Sequence, residues 1–85
     1  MWNDIGFVVK SKQRKLIILL LETPRTPTYL AKSLKTSLPN ISLKLRDLLD
    51  SGLVECVNPS DRKGRIYKLT RKGEDVCKKL KEMEK

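Results

Sequence analysis

At 85 residues the chain is one small domain, and its core is marginal if it stays monomeric. Apolar residues make up 39%, too many for a disordered tail, and a net charge of +9 points to nucleic acid ahead of an acidic protein or a membrane surface. The longest apolar run, residues 16–21, is far short of the roughly 20 residues a bilayer span needs, and residues 1–9 lack the basic start and long apolar centre of a signal peptide.

The opening MWNDIGFVVK leaves two readings open. Trp2, Ile5 and Val9 approximate helical spacing, Phe7 and Val9 would share one face of a strand, and Gly6 weakens both. Residues 1–10 read as an arm that covers apolar surface, on its own subunit or on a second one. Residues 11–22, SKQRKLIILLLE, read as a helix capped by Ser11 and apolar all round. Such a helix must be buried on more than one side, which predicts packing on the next helices and on another subunit. Lys12, Arg14 and Lys15 in its basic first half oppose the helix dipole, so they serve something other than helix stability. Residues 22–27, with Pro24 and Pro27, read as a loop.

Residues 26–53, TPTYLAKSLKTSLPNISLKLRDLLDSGL, carry the central pattern. Thr26 can cap a short helix with Pro27 at its first position, and Leu30, Ala31 and Leu34 make its apolar stripe. Residues 35–37 break the period. Ser37 can cap a second, longer helix with Pro39 in its first turn. Leu38, Ile41, Leu45, Leu48 and Leu49 would be its buried face, leaving Pro39, Ser42, Leu43, Arg46 and Asp50 presented, with Asn40 and Asp47 on the flanks. Gly52 is placed for the left-handed position that ends a helix, with Leu53 packing back on Leu48. Two helices, a sharp turn and one presented face make a helix-turn-helix candidate.

After Leu53 the period turns β-like. Residues 54–58 and 65–69 read as two short strands joined by turn formers, a hairpin whose tip carries Arg62, Lys63 and Arg65. Thr70 can cap a last helix through about Glu84, with Val76, Leu80 and Met83 as a narrow apolar seam beside Cys77. Gly73 lowers that helix's intrinsic stability by about 1 kcal/mol relative to alanine. The fold class is therefore mainly α with a small β-hairpin, in the order helix-helix-helix-strand-strand-helix. It divides into the arm, residues 1–10, and a domain, residues 11–85, ending in a helix at about 70–84.

Cys56 and Cys77 read as small apolar fillers, and two cysteines without any histidine indicate neither a disulfide framework nor a zinc site. A reducing cytoplasm fits. No nucleophile–base pair and no glycine-rich phosphate loop appears, so the expectation is a non-enzyme with no cofactor and no metal.

This element order is that of a winged helix-turn-helix, and LAKSLKTSLPNISLKLRDLLDSGLVE is similar to the corresponding stretch of MarR- and ArsR-type bacterial and archaeal regulators. Residues 66–73, IYKLTRKG, resemble the same families' second wing strand running into the last helix, and VVKSKQRKLIILLLE looks like the first helix of archaeal members. The resemblance covers about residues 8–80. It implies a homodimeric, sequence-specific regulator of transcription that binds double-stranded DNA, with the recognition helix in the major groove and the wing on the backbone or minor groove. Carried over by position, Ser37, Pro39, Asn40, Ser42, Leu43 and Arg46 fall on the groove side, and Arg62, Lys63 and Arg65 on the wing. The apolar surplus assigns Leu16, Leu20, Val76, Leu80 and Met83 to dimerisation. The chain departs from the families' pattern at Lys35, where a turn glycine is usual, at Thr36, and at Leu43, where a polar or basic residue is common. Asp47 and Asp50 also set negative charge on the far end of the presented face. A winged helix used as a protein-interaction module in a transcription or replication assembly is the alternative, since fold alone does not decide function.

Overall fold

The computed structural model describes residues 2–84, so Met1, the first residue of the expected arm, lies outside the described residues. Five helices and one antiparallel hairpin follow in order: α1 (Trp2–Val9), α2 (Lys12–Leu20), α3 (Pro27–Ser33), α4 (Leu38–Asp50), β1 (Val54–Cys56), β2 (Tyr67–Leu69) and α5 (Arg71–Met83). This is the winged helix-turn-helix, with one helix more than the sequence predicts. The hydroxyls of Ser11, Thr26, Ser37 and Thr70 cap α2, α3, α4 and α5, each accepting the amide N–H three residues on.

The added helix lies in the segment read as an arm, and it covers apolar surface of its own chain. Its Ile5 and Val8 are buried at 3% and 0% exposure, and α1 packs on α2 and α5 of its own chain. As a helix, α1 closes its backbone hydrogen bonds internally and turns Ile5 and Val8 together into the core. The surroundings of α2 follow from this. Ile17, Ile18 and Leu21 are fully buried while Leu16, Leu19 and Leu20 are half-buried, because α1, α4 and α5 together enclose most of α2. Its all-round apolar run is thus largely accounted for within one chain.

The dimer seam read along the last helix needs correction. Val76 and Leu80 are 0% and 1% exposed and belong with Cys77 to the intramolecular core, whereas Met83 is 52% exposed. A 13-residue helix bordered by both α1 and α2 spends its seam on its own subunit. The face of α4 is also narrower than its spacing suggests. Ile41, Leu45 and Leu48 are buried, but Leu38 and Leu49 sit at its edge, 46% and 37% exposed.

Both ends of the helix-turn-helix close in the same manner. At the end of α4 the amides of Gly52 and Leu53 bond to the carbonyls of Leu49 and Leu48 at 3.0 Å each, with Gly52 at φ +76°. At the end of α3 the amides of Lys35 and Thr36 bond to Lys32 and Ala31 at 3.3 and 3.0 Å, with Lys35 at φ +53°. The turn is therefore no wider for lacking a glycine. Lys35 adopts the left-handed conformation itself, at a cost of about 1–2 kcal/mol.

Beyond α4 the chain returns at once. β1 pairs with β2 in the register Val54↔Leu69, Glu55↔Lys68, Cys56↔Tyr67. Arg25 in the α2–α3 loop adds a bridge to Tyr67, with N–H···O distances of 3.0 and 2.8 Å in the two directions. The start of α5 then docks on the end of α4. The Thr70 amide bonds to the Leu53 carbonyl at 3.1 Å, the Thr70 hydroxyl donates to the Gly52 carbonyl at 2.6 Å and Lys72 Nζ to that of Ser51 at 2.9 Å. Gly73 makes this approach possible. A Cβ there would lie 1.9 Å from the Leu53 oxygen, inside any permissible contact. Gly73→Ala is therefore expected to destabilise the fold by roughly 2–3 kcal/mol despite alanine's better helix propensity, read as a lower urea midpoint; a raised midpoint would contradict this packing.

Candidate nucleic-acid interface

α4 begins on a cap and a turn that leave its outer side open. Pro39, Ser42, Leu43, Arg46 and Asp50 are exposed, Leu43 at 64%. Arg46 makes no ion pair or hydrogen bond among the described residues, so its guanidinium is free despite the nearby aspartates. Ser37 is also exposed, but its oxygen is committed to the Asn40 amide at 3.2 Å.

Asn40 is differently placed from its neighbours. It is half-buried, and its Nδ2 donates to Gln13 Oε1 at 3.1 Å and to Thr36 Oγ1 at 2.9 Å. Two-pronged pairing with adenine needs that same amino group. Asn40 instead holds the start of α4 against α2 and the turn, so the structure separates it from the free base-facing candidates Ser42, Leu43 and Arg46.

The basic first half of α2 also divides. Lys12 is exposed. Lys15 pairs with Glu84 at 2.9 Å. Arg14 donates from Nη1 to the Phe7 carbonyl at 2.9 Å and from Nη2 to Asp47 Oδ2 at 3.4 Å, with its guanidinium 4.0 Å from the Phe7 ring centre. Arg14 and Lys15 are thus internal ties. Sequence reasoning found the signal, cations set against the helix dipole, but not these partners on α1, α4 and α5.

In the wing the regular strands are shorter than expected, and the loop between them is organised by Asn58. Its Oδ1 accepts the Ile66 amide at 2.7 Å, and its Nδ2 donates to Asp61 Oδ2 at 2.8 Å and the Gly64 carbonyl at 3.2 Å. Arg65 Nε donates to the Asp61 carbonyl at 2.8 Å. Arg62 and Lys63 are exposed at the tip. A turn-forming residue at position 58 was visible in the sequence; its place at the centre of the loop was not.

Charge is unevenly paired over the surface. Ion pairs join Lys15 to Glu84, Lys68 to Glu55, Lys72 to Asp4, Lys79 to Glu82 and Lys81 to Glu22, on and around α1, α5 and the sheet. Among the described residues one ion pair, Arg14–Asp47, reaches α4, and Lys10, Lys12, Lys44, Arg46, Arg62 and Lys63 take part in none, nor do Arg71 and Lys78 on α5. An open cavity of about 440 Å³ lies away from this face, lined by Leu21, Leu69 and Cys77 with the Glu22–Lys81 pair at its rim. Burial, reinforced by the Glu22 charge, pushes the Cys77 thiol up, so it stays protonated and is a poor nucleophile at neutral pH. Among the described residues no three of His, Cys, Asp and Glu come together, and no helix is long and apolar enough to cross a membrane.

The profile of the bacterial regulatory proteins of the arsR family matches residues 10–55, more than half of the chain and the stretch that holds α2, α3 and α4. The chain belongs to that family. Its arsR-family membership makes it a regulatory protein rather than an enzyme. No curated protein matches the sequence. Among solved structures, FabT of Streptococcus pneumoniae in complex with DNA is 26% identical with a TM-score of 0.78, covering 87% of this chain and 54% of that one. ZitR of Lactococcus lactis in complex with DNA is also 26% identical, with a TM-score of 0.71 over 78% of this chain and 47% of that one. AdcR of Streptococcus pyogenes shares the fold at 18% identity, with a TM-score of 0.78 over 87% of this chain and 57% of that one. The chain therefore spans about half the length of the structures it matches.

Because the Asn58 side chain is the acceptor for the Ile66 amide, Asn58→Ala is expected to abolish hydrogen-exchange protection of that amide while leaving the α5 amides protected. Retained protection at Ile66 would show that the loop holds its shape without that side chain.

Proposed function

We propose that the chain binds double-stranded DNA as a sequence-specific transcriptional regulator, with α4 in the major groove and the wing on the backbone or minor groove. The observation that carries this is the free guanidinium of Arg46 on the exposed side of α4, with Lys12, Arg62 and Lys63 also exposed and in no ion pair among the described residues. The DNA complexes of the FabT and ZitR structures support it. Arg46 is the principal base reader, its planar fork suited to guanine, and Leu43 packs on a thymine methyl. Ser42 and Pro39 lie along the same surface. Ser37 and Asn40 act by fixing the start of the helix, and Arg62, Lys63 and Arg65 meet phosphates.

The regulator works as a homodimer in the cytoplasm, its two recognition helices on half-sites about one helical turn apart, which makes the preferred site an inverted repeat. Since Val76 and Leu80 are internal, the second copy docks on what α1, α2 and α5 leave open. That surface includes Trp2 and Met83, 66% and 52% exposed, with half-buried Leu16 and Leu20 at its edge. The likeness of α2 and of the strand leading into α5 to MarR-type and archaeal members belongs to the same reading. A second reading, docking on an acidic protein partner, is favoured by the exposed apolar side chains Leu38 and Leu43 on α4.

The test is selection of a preferred duplex from a random pool, followed by binding measurements on it and on random duplex. Wild type should bind with log affinity falling with log salt by about 0.9 per phosphate contacted, and sedimentation should give two chains per selected site. Arg46→Ala should cost about 1–3 kcal/mol on the selected site and little on random DNA, whereas Asn40→Ala should weaken both alike. Salt-independent or absent duplex binding would remove the DNA reading and leave the protein-docking one.

A further inference from the structure

We propose that Arg14 is a positioning residue for DNA binding, masking the charge of Asp47 on the flank of the recognition helix and tying that helix to α1. The inference rests on the reading of α4 as the helix that enters the groove.

A helix in the major groove runs between two phosphate backbones, so a bare carboxylate on its flank opposes binding. Asp47 holds such a place. Its side chain is 43% exposed, on the side of α4 that faces α2, two turns beyond the Asn40–Gln13 contact. Lys10, just before α2, and Lys12, in its first turn, are exposed and in no ion pair among the described residues, which leaves them free to meet phosphate. Asp50 lies on the last turn of α4 and makes no ion pair with Arg14. Arg14 thus supplies a positive partner to the acidic residue set closest to the presented turns.

The geometry is one that arginine alone satisfies. A planar fork bonds the Phe7 carbonyl with one nitrogen and Asp47 with another while its face lies on the Phe7 ring; a lysine ammonium has no such face or fork. The same arrangement leaves Arg14 Nε buried without a hydrogen-bond partner, which costs stability. An ion pair with one half-exposed partner stabilises a fold little. What the pair does achieve is to leave the α2-facing flank of α4 without net negative charge. It also links the recognition helix through one side chain to the backbone of α1.

Four proteins test this: wild type, Arg14→Met, Asp47→Asn and the double variant, each measured for duplex binding at one salt concentration and for thermal unfolding. Methionine keeps an apolar stem against Phe7 and removes the charge. Arg14→Met should weaken duplex binding roughly tenfold. Asp47→Asn should bind at least as tightly as wild type, and the double variant should bind within about twofold of wild type. Thermal stability should fall equally in Arg14→Met and in the double variant, because both lose the bond to the Phe7 carbonyl. Affinity regained without stability regained is the mark of charge masking. A double variant as weak as Arg14→Met would overturn the inference, as would an Arg14→Met protein that binds like wild type. A wild type that binds no duplex would remove the DNA reading itself, so the two failures are distinct.

Discussion

The structure turns on one close approach, the backbone of Gly73 lying against the carbonyl of Leu53. Everything between those residues is the wing, so this contact closes the base of the hairpin and joins it to the end of the recognition helix. Thr70 and Lys72 add hydrogen bonds to Gly52, Leu53 and Ser51 around the same point. α4, the base of the wing and α5 are consequently tied together at one point, and the bridge of Arg25 to Tyr67 joins the α2–α3 loop to the same hairpin. Two elements that would grip a duplex from different grooves must keep a fixed separation, and here one glycine at a helix start secures it.

A second organising feature is where charge is cancelled. Most of the ion pairs lie on α1, α5 and the sheet, where surface pairs add little stability. The cations on α4, at the start of α2 and on the wing tip are unpaired, and the acidic Asp47 is matched by Arg14. Part of the +9 net charge is thus left unpaired on α4, before and in the first turn of α2 and on the wing tip, where it favours steering toward a polyanion. The polar ties beneath α4, from Gln13 through Asn40 to Thr36, fix the start of the helix on the same side.

Local chemistry was the legible part. Ser11, Thr26, Ser37 and Thr70 cap the helices that their positions imply, and Gly52 with Leu53 ends α4 as read, because caps and stops depend on residues close in sequence. The ambiguous opening was decided by tertiary packing, since the apolar pair Ile5 and Val8 is too short a pattern to choose a helix alone. Val76 and Leu80 looked like a surplus only while α1 was counted as an arm; once α1 and α2 both border α5, one chain buries them. Lys35 shows that a left-handed turn can persist where its usual residue is absent. Arg14 and Asn58 were out of reach for a different reason. A polar side chain declares its type in the sequence but not its partner, and both act through partners 7–33 and 2–8 residues away. The presented set on α4 was legible by periodicity, and its sorting into free Arg46 and occupied Asn40 was not.

The central claim is that the open side of α4, the start of α2 and the wing tip form one DNA-binding surface. Titrating isotope-labelled protein with a short duplex and following its backbone amide resonances addresses that claim most directly. The account predicts the largest shifts at Ser42, Leu43 and Arg46, at Lys10 and Lys12, and in the loop at Arg62 and Lys63, with the outer side of α5 around Asp75 and Lys78 unmoved. Shifts centred on α5 or on the cavity beside Cys77, with α4 unmoved, would contradict it.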